Sequence, residues 1–261
     1  MKKFLLLVVF VIALFAKSAI VYYGEELNFS KLKNFDYIIT QEYNTNPMNP
    51  LFKKYRNKIY IYVSIGEIYN PKNIPQNWIK SENKNWHTAV LDITNKDYQN
   101  YLLNKLAKLR KKGFKNFFFD TLDSYYLYSK TPLQIEKARN ALANFINRVH
   151  QKFPNSKIVV NRGFDIIDKT NNSINAVLFE SYYRGLGGPT GYKKVSENDR
   201  KWLDSKLEKF KNYNKDIICV DYLPLNKINS SIGEKDIKML KKRGFIPYIS
   251  TRNLSIYGKS E

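Results

Sequence analysis

Two acids three residues apart, Asp120 and Asp123, close the apolar run Phe117-Phe118-Phe119. A third, Glu180, closes the run Ala176-Val177-Leu178-Phe179. Short runs rich in aromatic and branched residues, bounded by turn signals, read as buried strands. A strand that stops at a carboxylate delivers that acid to the rim of the core. Other runs end in the same manner, at Tyr23, Glu42, Ser64 with Glu67, Asn161 with Arg162, Asp221 with Tyr222, and Arg252. Tyr125 and Tyr182 follow closely behind the acids at 123 and 180. Carboxyls and rings are the equipment of glycoside hydrolysis. One carboxyl protonates the leaving oxygen while another attacks the anomeric carbon or activates water. Tyr and Trp faces stack on the sugars.

Other chemistries find less support. The two histidines, His87 and His150, lack any metal-ligand spacing, so no metal and no cofactor are expected. There is no phosphate loop after the first strand, where Gly24-Glu25-Glu26 stands, and no nucleophile elbow with a histidine in reach. The glycines between Gly185 and Gly191 are too loosely spaced for a phosphate site and read as a mobile lid.

The elements that position these residues alternate in type. Strands are expected at 19–24, 37–40, 59–66, 117–119, 157–161, 176–180, 216–222 and 247–251, with an extra extended piece at 89–92. Between them, Thr94-Asn95-Lys96-Asp97 and Thr131-Pro132-Leu133-Gln134 have capping-box spacing, and Ser196 and Asp199 open another helix. A further helix is expected over 233–243. Leu109 to Phe114 and Leu240 to Phe245 echo each other, each a basic helix end with glycine feeding a strand. Eight hydrophobic strands alternating with helices predict a parallel sheet covered on its outside. The length fits a single-domain α/β fold, a (β/α)8 TIM barrel over residues 19–261. Active sites of such barrels lie at the strand C-termini, where this chain gathers its acids. Asp120 and Glu180 fall on the fourth and sixth strands, which have the same parity and so can share a layer. With strands roughly 4.8 Å apart, their carboxyls can approach the roughly 5 to 9 Å that glycosidase pairs use. Apolar neighbours raise the pKa of Glu180, making it the expected acid/base, with Asp120 as nucleophile.

Met1-Lys2-Lys3 and the apolar run Phe4 to Ala16 have the form of a signal peptide, with cleavage expected after Ser18. The lone Cys219 cannot form an internal disulfide. These features place the protein outside the cytoplasm, secreted or periplasmic, with no stable membrane insertion after cleavage. The net charge is +21, and removal of Lys2, Lys3 and Lys17 with the leader leaves about +18. The lysines are scattered over the chain, so charge alone identifies no partner.

The ordered set Val21-Tyr22-Tyr23-Gly24, Tyr62 to Glu67, Phe118 to Asp123, Val160 to Gly163 and Val177 to Ser181 resembles the endo-α-1,4-polygalactosaminidase family. That family includes spherulin-4-like proteins and is related to the hydrolase domain of the Pel exopolysaccharide machinery. The resemblance covers essentially the whole mature chain. It implies a secreted (β/α)8 hydrolase that cuts α-1,4-linked galactosamine or N-acetylgalactosamine polymers. Its acids map onto Asp120 and Glu180, with Ser64, Glu67, Asp123, Asn161 and Tyr182 lining the cleft. A polysaccharide partner, no nucleic acid and a monomer are the expectations that follow. Two alternatives stand beside this one: a sugar-binding barrel without turnover, and a basic envelope- or nucleic-acid-binding protein with a contiguous Lys/Arg face.

Overall fold

Alternating strands and helices wind into eight parallel strands, each paired with the next. They are β1 (Ala19–Tyr22), β2 (Tyr37–Thr40), β3 (Ile59–Ser64), β4 (Asn116–Asp120), β5 (Ile158–Asn161), β6 (Ala176–Glu180), β7 (Asp216–Tyr222) and β8 (Ile246–Ser250). The structure is a computed structural model that describes residues 17–188 and 191–261. All of the expected leader except Lys17 and Ser18 therefore lies outside the described residues.

β8 lies beside β1, and the C-terminal segment bridges the seam. The Ala19 N–H donates to Ser260 Oγ at 3.2 Å, and that hydroxyl donates to the Pro247 carbonyl at 2.7 Å. Further up, the Tyr23 N–H donates to the Leu254 carbonyl at 2.7 Å. The result is the expected (β/α)8 barrel.

Four long helices cover its outside: α1 (Lys96–Lys111), α2 (Pro132–Lys152), α3 (Glu197–Asn212) and α4 (Ser231–Lys242). The capping box at Thr131 and Gln134 forms as expected, and Ser196 caps α3. At α1 the cap is one residue later than the sequence spacing suggests. Asn95 accepts from the N–H groups of Asp97 and Tyr98, while Thr94 bonds back to Asp92. α4 starts at Ser231 behind the cap Ser230, which places Gly233 inside its first turn. The echoed helix ends are a repeated Schellman motif. Gly113 and Gly244 sit at φ +100 and +78, and the next residues, Phe114 and Phe245, donate to the Leu109 and Leu240 carbonyls.

Strand alternation sorts side chains between two layers. Phe117 and Phe119 face outward, against Phe153 and Phe145. Phe118 faces inward against Tyr62, and Asp120, two residues on, faces inward as well. The strand-N-terminal mouth is plugged by Tyr37 stacked on Tyr60 at 5.4 Å, with the Tyr37 hydroxyl donating to Asp216. The interior is thus closed at one end and polar at the other.

Two additions differ from expectation. The stretch after β3 forms a three-stranded antiparallel sheet from Glu67–Ile68, Ile79–Asn83 and Thr88–Leu91, where only the last strand was foreseen. The glycine-rich segment expected as a lid is a β-hairpin, Arg184–Gly187 against Gly191–Lys194, with Pro189 and Thr190 outside the described residues. The Arg252 guanidinium ties it to the barrel by donating to the Gly188 and Gly191 carbonyls.

Candidate active site

Register and tilt bring Asp120 and Glu180 to one level. Phe119 pairs with Val160 and Asn161 with Leu178, so Asp120 lies level with Leu178, two residues short of Glu180. A closed eight-stranded barrel of shear eight shifts each strand by about one residue relative to its neighbour. Two strand steps make up that difference. Period-two alternation then turns Tyr62, Asp120, Asn161, Glu180 and Tyr222 into the interior at the same end.

The two carboxyls are held differently. Asp120 accepts from the Tyr62 hydroxyl at 2.8 Å on one oxygen and from Asn161 Nδ2 at 2.7 Å on the other. Glu180 accepts from one donor, the Tyr222 hydroxyl. Burial raises its pKa above the ordinary glutamate value; the Tyr222 hydrogen bond opposes this, the Asp120 charge adds to it and Arg162 opposes it. The two acids thus share a layer in different settings, Asp120 held by two donors and Glu180 desolvated beside one. Tyr23 stands edge-on to Tyr62 with ring centroids 5.7 Å apart, and burial raises its phenol pKa, with the charges of Asp120 and Glu180 adding. Asp123 is half-buried near Arg162, Asp165 and Asp120, and burial lifts its pKa to about 6.

The loops behind these acids adopt unusual backbone. Thr121 and Arg162, each following an inward-facing strand end, sit at φ +61 and +56. A β-branched residue in that region is an outlier, and such strain gathers at functional sites. Thr121 is held there by its hydroxyl, which accepts from the Gly66 N–H at 2.8 Å and shares a hydrogen bond with Ser64 Oγ. A side chain on Gly66 would meet the Thr121 carbonyl at 2.3 Å, so only glycine allows this approach. The Arg162 guanidinium donates to the Glu180 carbonyl at 2.8 Å, fixing the end of β6.

Tyr23, Asp120, Asp123, Asn161, Arg162, Glu180 and Tyr222 are therefore brought together. The remaining residues marked from the sequence take other places. Ser64 braces the turn, donating to the Glu67 carbonyl at 2.6 Å. The Glu67 carboxylate is buried, and Asn83, Thr88 and Ser124 all donate to it, which makes it the pin of the small sheet. Tyr125 is buried with its ring on Tyr126. Tyr182 is a core residue of the outer layer. It packs on Phe179 and Phe245, and its hydroxyl donates to Asp204 on α3. Glu42 turns outward to an ion pair with Lys112.

Asp221 faces out of the barrel, opposite to its neighbour Tyr222. It is fully buried and accepts the N–H groups of Tyr182, Tyr183 and Arg184 at 2.6, 2.9 and 3.0 Å. These bonds set the chain direction after Glu180 and the root of the hairpin. Asp221→Asn puts an NH2 where one of those donors needs an acceptor, and should cost about 2–3 kcal/mol of stability. Thermal unfolding checks this; an unchanged midpoint would mean that Asp221 does not carry the turn.

Tyr62 and Thr121 are site residues that strand-end reasoning missed. For Tyr62 the signal was present, since it precedes Ser64 by two and so shares its face. The left-handed backbone at Thr121 left no mark in the sequence.

The profile of glycoside-hydrolase family GH114 matches residues 30–261. No curated protein sequence matches the chain significantly. Among solved structures, the glycoside hydrolase domain of PelA from Pseudomonas aeruginosa superposes with a TM-score of 0.84 at 28% identity, covering 93% of this chain and 98% of that one. Ega3 from Aspergillus fumigatus, solved in complex with galactosamine, superposes with a TM-score of 0.70 at 13% identity over 94% of this chain and 95% of that one. At that identity Ega3 speaks for the fold.

Proposed function

The chain belongs to glycoside-hydrolase family GH114, and from that premise we propose an exported, endo-acting enzyme that cleaves α-1,4-linked galactosamine or N-acetylgalactosamine polymers. The observation that carries the catalytic part is the contrast between Asp120, held by two donors, and Glu180, desolvated and raised. The amino-sugar class rests on the strand-end motifs that resemble the endo-α-1,4-polygalactosaminidases.

In the first step an Asp120 oxygen attacks the anomeric carbon while protonated Glu180 gives its proton to the departing glycosidic oxygen. The bond to the leaving sugar breaks and a glycosyl ester on Asp120 forms. In the second step the Glu180 carboxylate takes a proton from water, the hydroxide oxygen attacks the same carbon, and Asp120 departs as carboxylate. Tyr62 and Asn161 hold Asp120 for both steps. Tyr23 supplies a ring wall beside the pair.

Export rests on the leader-like N-terminus. Ser18 is nevertheless tied into the fold, its carbonyl accepting the N–H groups of Asp36 and Tyr37. A cut after Ala16 preserves those bonds, whereas the expected cut after Ser18 removes them.

Tyr222 acts on Glu180 as a positioning residue. Its hydroxyl favours the carboxylate, so Tyr222→Phe raises the Glu180 pKa further. Loss of the acid's proton limits activity at high pH, so the basic limb of the kcat/KM profile should move to higher pH in this variant. A lowered rate with an unmoved limb would assign Tyr222 a packing role only.

A further inference from the structure

The barrel's two ends differ in charge. Linkers just ahead of β2, β3, β4, β5 and β7 carry Lys33, Lys58, Lys115, Lys157 and Lys215. The last turns of α1, α3 and α4 add further lysines at the same end. The acids there include Asp36, paired with Lys58, Asp216 at the start of β7, paired with Lys17, Asp168, paired with Lys209, and the exposed Glu208 and Glu261. Lys33, Arg56 and Lys157 are exposed and, among the described residues, pair with no carboxylate. Cations in a last helical turn follow from the helix dipole. Those in the linkers lie beyond the helix ends, and the dipole does not require them. The opposite end holds Glu25, Glu26, Asp120, Asp123 and Glu180 around the cleft, with cations such as Lys72, Lys84 and Lys193 in its outer loops.

We propose that the strand-N-terminal face of the barrel is a docking surface for an anionic phospholipid bilayer, which leaves the acidic cleft turned away from the lipid. Two observations support it independently. One is charge complementarity: clustered lysines that lack carboxylate partners are attracted to an anionic leaflet without inserting. The other is where the chain enters. The apolar run Phe4 to Ala16 joins the described structure at Lys17, on this same face. A chain that still carries the run presents this face to the bilayer holding it. Among the described residues no helix is long and apolar enough to cross a membrane. The orientation also removes a conflict, because a net-positive protein repels a cationic amino-sugar polymer unless its positive end is occupied and its acidic end faces the substrate.

The test is co-sedimentation of the full chain with vesicles of phosphatidylcholine alone and of phosphatidylcholine mixed equally with phosphatidylglycerol. The apolar run contributes to both, so the difference between them reads the basic face. The variant Lys33→Glu, Arg56→Glu, Lys157→Glu should lose on the order of 100-fold of the preference for anionic vesicles. Lys72→Glu, Lys84→Glu, Lys193→Glu makes the same charge change in exposed loops at the other end and should lose little. Hydrolytic activity in solution, measured on both triple variants, should match wild type and certify their folding, so binding and catalysis are read separately. Equal loss in the two variants would reduce the effect to net charge and overturn the proposal. So would the absence of any preference for anionic vesicles, or equally tight binding to soluble polyphosphate, which would make a polymer the partner.

Discussion

Replacing Glu180 with Gln should lower polymer hydrolysis on the order of 1,000-fold, the contribution expected of a positioned general acid–base group. Gln keeps the shape and an oxygen that accepts from Tyr222, so the fold should survive. What it lacks is the proton for the leaving oxygen. The loss should therefore depend on the leaving group. An aryl glycoside whose phenol departs without protonation should still glycosylate Asp120 in the variant, and the second step, which needs a base, should then limit turnover. The basic limb of the pH profile should vanish with the group that produces it. A variant that keeps more than about a tenth of wild-type activity on polymer would take the acid role away from Glu180.

Replacing Asp120 with Asn should be at least as costly, on the order of 10,000-fold in kcat, because the attacking group itself is removed. No choice of leaving group should rescue this variant, which distinguishes it from the first. Shortening the side chain, Asp120→Gly, opens the space between Tyr62 and Asn161 to a small nucleophile. Azide should then attack the anomeric carbon directly, and turnover should return as a glycosyl azide of inverted configuration. If a Glu180 variant instead yields the glycosyl azide of inverted configuration and this one yields none, the two roles are exchanged.

The barrel was legible because each strand is short, apolar and followed by a helix with its own cap. The repeated Schellman ends at Gly113 and Gly244 appeared in the sequence as an echo. The meeting of Asp120 and Glu180 in one layer was legible because equal strand parity places residues in a common layer. Parity also explains what was misplaced. Asp221 and Tyr222 are adjacent, so only one can face inward, and that one is Tyr222. Tyr182 and Glu67 follow strand ends, where alternation no longer governs direction, and each found a partner elsewhere, in Asp204 and in the small sheet. The hairpin after Glu180 was unreadable because its cause is remote. Asp221 organises it from thirty-odd residues down the chain.

The claim that joins all of this is that Asp120 and Glu180 together cut an amino-sugar polymer internally. The direct measurement is release of reducing ends from partly deacetylated α-1,4-linked polygalactosamine, with product sizes followed over time. The wild-type chain should release mixed oligosaccharides from the first minutes, while Asp120→Asn and Glu180→Gln release none above background. No release by the wild type at any degree of acetylation, or undiminished release by both variants, would contradict it.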